Sequence, residues 1–183
     1  MGGIVVTLVA TVTLQAFRLQ RDTLRREQDT TAASLAMETI TRDVRQALST
    51  QPNNTTVNAF ATSLPSSLTV ITWVSSDPVK VTYTLDNGNL TRSVKVADMV
   101  GQGVASTFTN ASPVATTTTL VGNVTGSALF KYTLKDGTSA ASYTAANDQA
   151  SISGVQVTLR VNSDVTGKLP GTMLVNSVVC QNL

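Results

Sequence analysis

From Ile4 to Leu48 the chain contains neither proline nor glycine, the two residues that most strongly interrupt a helix. A helix over 3–48 has 46 residues, or about 69 Å at 1.5 Å per residue. A compact body built from all 183 residues has a radius of gyration of about 16 Å. At least half of such a helix must therefore project from its own head, into a bilayer or among other helices. Pro52, in the stretch Ser49–Asn54, predicts the end, because the residue before a proline avoids helical geometry.

Charge divides the chain into three zones. Residues 1–17 carry none; Arg18, Arg21, Asp22, Arg25, Arg26, Glu27, Asp29, Glu38, Arg42, Asp43 and Arg45 follow; from Gln46 onward charges are sparse. The apolar run 3–17 spans about 22 Å, short of the 20 residues needed to cross about 30 Å of hydrocarbon. A cleaved signal peptide fits poorly, since no basic segment precedes the run. The more economical expectation is that these residues are the second half of a membrane helix whose beginning lies upstream of Met1.

In the charged zone Ala33, Met37, Ile40, Val44 and Ala47/Leu48 recur every three or four residues, which draws one apolar stripe along a helix. Asp22–Arg26 and Glu38–Arg42 are acid-to-base pairs four apart, each worth a few tenths of a kcal/mol. Asp29-Thr30-Thr31 is the expected kink, because these side chains compete for backbone hydrogen bonds. Arg18, Arg21, Arg25 and Arg26 form a basic cluster that suits anionic headgroups or acids on adjacent helices, against the plainer reading of solvated charges.

The whole chain holds 30 threonines and 24 valines, most of them beyond residue 48, and these residues favour strands. Strands are predicted at 67–74, at 79–85 with Val79, Val81, Tyr83 and Leu85 on one face, at 89–94, at 127–134, at 152–161 and at 173–182. Asn87-Gly88 is a strong hairpin signal. Ala97–Ala115 and Lys135–Ser151 read as long polar connections, and the Thr116–Thr119 run as a solvated loop. The expected fold is α+β: residues 1–48 a projecting N-terminal helix (apolar 3–17, amphipathic 18–48), and 49–183 an antiparallel β-sheet head covered on one face by the helix stripe.

The composition removes much chemistry. Histidine is absent, and with it Ser-His-Asp and Cys-His catalysis. A single cysteine, Cys180, permits no disulfide within the chain, and a buried thiol is expected there. The aspartates of the head sit mostly at turns, and its basic residues are scattered, so the residues point to no enzyme, metal site or cofactor, and nucleic-acid binding finds no support. Leu169-Pro170-Gly171-Thr172-Met173 approaches a sortase signal but has Met in the fifth place and reads as a loop. Sequons at Asn53, Asn54, Asn89, Asn110 and Asn123 arise readily in so threonine-rich a chain.

Five segments, in order, resemble the type IV pilins, more closely the minor pilins and pseudopilins of the pilin-W-like and pseudopilin-J-like group. Thr41-Arg-Asp-Val-Arg-Gln-Ala47 is similar to the segment ending their long helix, and Val81-Thr-Tyr-Thr-Leu-Asp-Asn-Gly-Asn-Leu-Thr-Arg92 to their hairpin. Leu129-Phe-Lys-Tyr132 with Asp136-Gly137, Ile152–Leu159 and Asn176–Asn182 resemble their later strands. One departure stands out: Gly2-Gly3-Ile4-Val5-Val6 lacks the glutamate of the family's peptidase site, and no processing residue is carried over.

The resemblance implies a pilin-like fold and a structural minor subunit of a type IV-type filament or type II secretion pseudopilus, acting in initiation, assembly or surface presentation. Its partners would be other pilins or pseudopilins, the assembly machinery and, before assembly, the cytoplasmic membrane; its location the cell envelope, as a single-pass protein and then an extracytoplasmic filament. Ile4, Val5, Val6, Leu8, Val9, Val12, Leu14 and Phe17 would make the filament or membrane contact, and Ala33, Met37, Ile40, Val44 and Leu48 the helix–sheet packing. The alternative is a membrane-anchored extracytoplasmic binding module or adhesin that never polymerises.

Overall fold

The computed structural model describes residues 2–48, 58–74, 77–98, 107–109, 114–164 and 170–180; side chains are described from Val12 onward, leaving out 73, 74 and 77. Helix α1 spans Gly2–Arg45 and a one-turn helix α2 spans Ala146–Ala150. The strands are β1 (Phe60–Leu64), β2 (Ser67–Val74), β3 (Asp77–Asp86), β4 (Asn89–Val96), β5 (Thr116–Val121), β6 (Phe130–Leu134), β7 (Ser139–Ala140), β8 (Ile152–Val161) and β9 (Thr172–Val179). The class is α+β with antiparallel sheets.

The head holds two sheets where one was expected. The first has the order β1-β2-β3-β4-β5, the second β7-β6-β8-β9. The split falls where β6 meets the turn between β1 and β2: the amides of Leu129 and Phe130 both donate to the Pro65 carbonyl at 2.7 and 3.0 Å. The Tyr132 hydroxyl reaches the carbonyls of Leu64 and Ser67. These end-on contacts replace a ladder between β6 and the first sheet.

β3 and β4 pair in register from Val79↔Val96 to Asp86↔Asn89. Asn87 and Gly88 both have positive φ, 47° and 74°, the two-residue turn that matches the twist of the flanking strands. β5 corrects the solvated-loop reading of Thr116–Thr119. These residues pair with Val94–Thr91 of β4, and their side chains are exposed, so no apolar alternation marks them as a strand; only their β-branched shape does. β1, β7 and α2 carry no such signal and are known only from the structure. The expected strand 127–134 begins at Phe130, and 181–183 lie outside the described residues.

α1 runs unbroken through Asp29–Thr31, where a kink was expected. Asp29 does not compete for its own backbone: its Oδ2 accepts from the Ser163 amide and hydroxyl, both at 3.0 Å. Thr23 and Thr39 hydroxyls bond the carbonyls four residues back, which is how threonine is accommodated inside a helix. The helix ends at Arg45, three residues before Leu48. There the Thr72 hydroxyl donates to the Gln46 carbonyl at 3.0 Å, and the Leu48 amide pairs with the Ile71 carbonyl at 3.1 Å. The strand captures the chain before Pro52 can act.

One face of α1 enters the core. Ala33, Ala36, Met37, Ile40 and Val44 are buried with Phe60, Leu68, Val81, Tyr83, Tyr132, Val157 and Leu159. Ala47 is fully buried while Leu48 is half-buried, since both lie past the helix. Of the expected pairs four apart, neither Asp22–Arg26 nor Glu38–Arg42 closes; Arg42 lies 3.8 Å from Asp43 instead. Exposed pairs gain too little to hold long side chains still.

Ile40→Ala should cost the head about 2–5 kcal/mol in urea unfolding, through the cavity left at a fully buried site. Leu35→Ala, five residues earlier on the exposed side, should change it by under about 0.5 kcal/mol.

Candidate functional site

From Val12 to Ala32 no side chain of α1 is buried; Ala33 is the first. Below the Asp29 anchor, residues 2–28 extend as about 40 Å of helix beyond the head. Val12, Leu14, Phe17, Leu19 and Leu24 are each more than half exposed, and so is Leu35, at 60%, beside the head. Phe17, Leu24 and Leu35 are seven and eleven residues apart, close to two and three turns, so they share one side. Leu14 joins them three residues earlier. This stripe points away from the buried face of Ala33, Met37, Ile40 and Val44. Apolar surface left in water is unfavourable; here the exposed apolar side chains are spaced along one side of the helix, with Arg21, Gln28 and Thr31 between them.

Of the expected contact residues, Val12, Leu14 and Phe17 sit on this exposed helix. Ile4, Val5, Val6, Leu8 and Val9 belong to α1, but their side chains lie outside the described residues. No helix among the described residues is long and apolar enough to cross a membrane. Arg18, Arg21 and Arg26 are exposed and Arg25 is half-exposed.

The stripe is held at a set angle by polar joints on both flanks of α1. On one flank Asp43, 4% exposed, accepts at a single oxygen, Oδ2, from the Tyr83 hydroxyl at 2.6 Å and from Arg92 Nε at 2.8 Å. On the other, Asn176 donates to the Thr41 hydroxyl at 2.9 Å and Thr30 meets Thr172 at 3.1 Å. Asp43 lies in the last turn of α1, where the helix dipole disfavours an acid, and Arg92 supplies the opposing charge. Burial, then the Asp43 charge and hydrogen bond, push the Tyr83 phenol far above its usual range. Burial would lower the Arg92 guanidinium, but the Asp43 bond and charge outweigh it and raise it further.

The sequence places each of these residues in a marked segment but does not join them. Asp43 lies beside the apolar stripe, three residues after Ile40. Counting back from Asn87-Gly88 puts Tyr83 opposite Arg92. What was missing was the packing of the hairpin on the helix.

Elsewhere Cys180 is a free, buried thiol that burial pushes up to about 11. Leu169 lies outside the described residues, while Thr172 opens β9. A Cβ on Gly171 would lie 2.6 Å from the Val161 carbonyl oxygen, so this corner needs glycine. Shallow depressions of about 220, 330 and 420 Å³ lie around Lys131, Gln156 and Arg160. Among the described residues no group of three acids, histidines or cysteines converges as metal ligands would. No protein-family model matches the chain, and no curated protein matches it.

Arg92→Met should cost about 3 kcal/mol in urea unfolding, because it strands a buried carboxylate. Asp43→Asn should cost about 1–2 kcal/mol, because the Arg92 side chain keeps 22% exposure and can turn to water. Alkali should also unfold the head. Burial raises the phenols of Tyr83 and Tyr132, so above pH ~10 the unfolded chain loses protons the native one keeps. Stability should then fall by about 1.4 kcal/mol per pH unit for each tyrosine. Tyr83→Phe should remove one such increment, read as the slope of unfolding free energy against pH.

Proposed function

We propose that the chain is a structural minor subunit of the pilin type, a minor pilin or pseudopilin of a type IV-type filament or type II secretion pseudopilus. The observation that carries this is the projecting helix, with Leu14, Phe17, Leu24 and Leu35 exposed along one side of it. A helix that cannot hide in its own head is stable only in lipid or against other helices. Both remove it from water, so passage from bilayer to bundle does not require the head to unfold. The segments that resemble the family support the same reading: Asp43 from its helix-end segment and Tyr83 and Arg92 from its hairpin form one buried joint.

On this reading the subunit acts by contact alone. Its helix joins the central bundle, its head faces outward, and its partners are other pilins or pseudopilins together with the machinery that draws it from the cytoplasmic membrane. The arginines after Phe17 sit where the apolar run ends, placed for headgroups before assembly or for acids of neighbouring helices after it.

Phe17→Glu combined with Leu24→Glu should lower the amount recovered with sheared surface filaments more than tenfold, while thermal unfolding of the head is unchanged. Full recovery of the doubly substituted protein in filaments would refute the reading. Stable membrane residence with no filament fraction for the unaltered protein would favour the non-polymerising anchored module.

A further inference from the structure

β8 sends one row of side chains inward and the other outward. Val155, Val157 and Leu159 are buried in the core shared with α1. Gln156, Thr158 and Arg160 alternate with them and stand on the far face of the second sheet. Strand pairing fixes their neighbours there. Gln156 lies between Lys131 of β6 and Ser177 of β9, Gly154 between Thr133 and Val179, Thr158 beside Val175 and Arg160 beside Met173. Three depressions of about 220, 420 and 330 Å³ follow one another along this face. The first two share Lys131 and Gln156, and the last two share Thr125 and Arg160. Together they form one trough, from Gly154, where no side chain fills the floor, to Asn162, about 27 Å along the strand direction.

The chemistry of the trough is one-sided. Among the described residues its lining holds two cations, Lys131 and Arg160, both exposed, and no acid. Asp136 in the β6–β7 turn, Asp148 in α2 and Asp164 past the end of β8 do not line it. The cations stand about 13 Å apart along the strand direction, and neither is in an ion pair with a described residue. Around them are Thr133, Gln156, Thr158 and Ser177, groups that each donate and accept hydrogen bonds. Met173, Val175 and Val179 border the trough along β9, each more than half exposed.

These features select among extended anionic partners. Single-stranded nucleic acid stacks its bases on exposed aromatic rings, and the only ring in the described lining, Phe130, is 2% exposed. An extended peptide adds to a sheet edge, whereas this is a face. A densely sulfated chain would leave most of its charges without a cation. A sugar chain with sparse carboxylates fits: its hydroxyls donate and accept, its C–H faces suit the apolar border, and its acids suit the forked guanidinium and the ammonium.

We propose that this face binds a linear, carboxylate-bearing polysaccharide, with carboxylates on Lys131 and Arg160 and sugar hydroxyls on Gln156, Thr158 and Ser177. The face looks away from α1, so the contact is independent of the filament reading and is open to a head held in a filament or on a lone anchor. Exposed cations contribute little each and are screened by salt, so binding is weak and salt-sensitive.

Full-length protein in an uncharged detergent would be titrated with fluorescent hexagalacturonate and read by anisotropy. Binding should weaken at least tenfold in Lys131→Gln combined with Arg160→Gln, and also in Gln156→Glu, which sets a negative charge in the floor. It should change less than threefold in Arg42→Gln combined with Arg45→Gln, which removes the same charge from the end of α1. Unfolding temperatures should be unaltered, and neutral dextran should not compete. Equal weakening in the helix-end variant would reduce the contact to net charge and overturn the proposal. Equal competition by polyglutamate, the mark of an acidic protein partner, would overturn it too, as would no binding by the folded protein at millimolar hexagalacturonate.

Discussion

The face of α1 formed by Ala33, Ala36, Met37, Ile40 and Val44 is the shared wall of both sheets, and the rest of the head is arranged around it. These residues share one core with Val81 and Tyr83 of the first sheet and with Val157 and Leu159 of the second. Among the described residues the sheets meet at strand ends, through Pro65, Tyr132 and Val124, and where the Tyr143 amide donates to the Ser63 carbonyl of β1, while the helix packs against both. The hydrophobic contribution of such a wall is non-directional. It sets that the helix is held, not its rotation or its depth.

Rotation and depth come from the polar joints. Asp43 is tied to Tyr83 and Arg92 on the flank of the first sheet, while Thr41 and Thr30 are tied to Asn176 and Thr172 on that of the second. Asp29 bonded to Ser163 marks where the helix leaves the head. Directional bonds on both flanks hold the stripe of Phe17, Leu24 and Leu35 facing outward. Any partner that reads this stripe therefore meets it at a constant angle to the head.

Much of this architecture was legible before any coordinates. The helix follows from the absence of Gly and Pro over 45 residues and from the spacing of Ala33, Met37, Ile40 and Val44. The hairpin follows from Asn87-Gly88, and β8 from alternation over Ile152–Val161. What escaped reading lacks a local signal. β5 lies at an edge with its threonines exposed, and β1 and α2 have no marked periodicity. The helix stops at Arg45 because Thr72 and Ile71 catch its end, an event between residues far apart in sequence. Asp29 looks like a helix breaker until Ser163 is placed beside it.

The sequence alone determined that a helix too long for its head must project, because unbroken helical geometry and the size of a 183-residue globule are both local or additive properties. It determined too which helix residues could be buried, because periodicity is read along one chain. Only the tertiary structure decided that the head divides into two sheets, that Asp43 meets Tyr83 and Arg92, and that Lys131 joins Gln156 and Arg160 on one face. Each of these depends on which segments approach one another in space, and pairing between distant strands leaves no mark in the spacing of either.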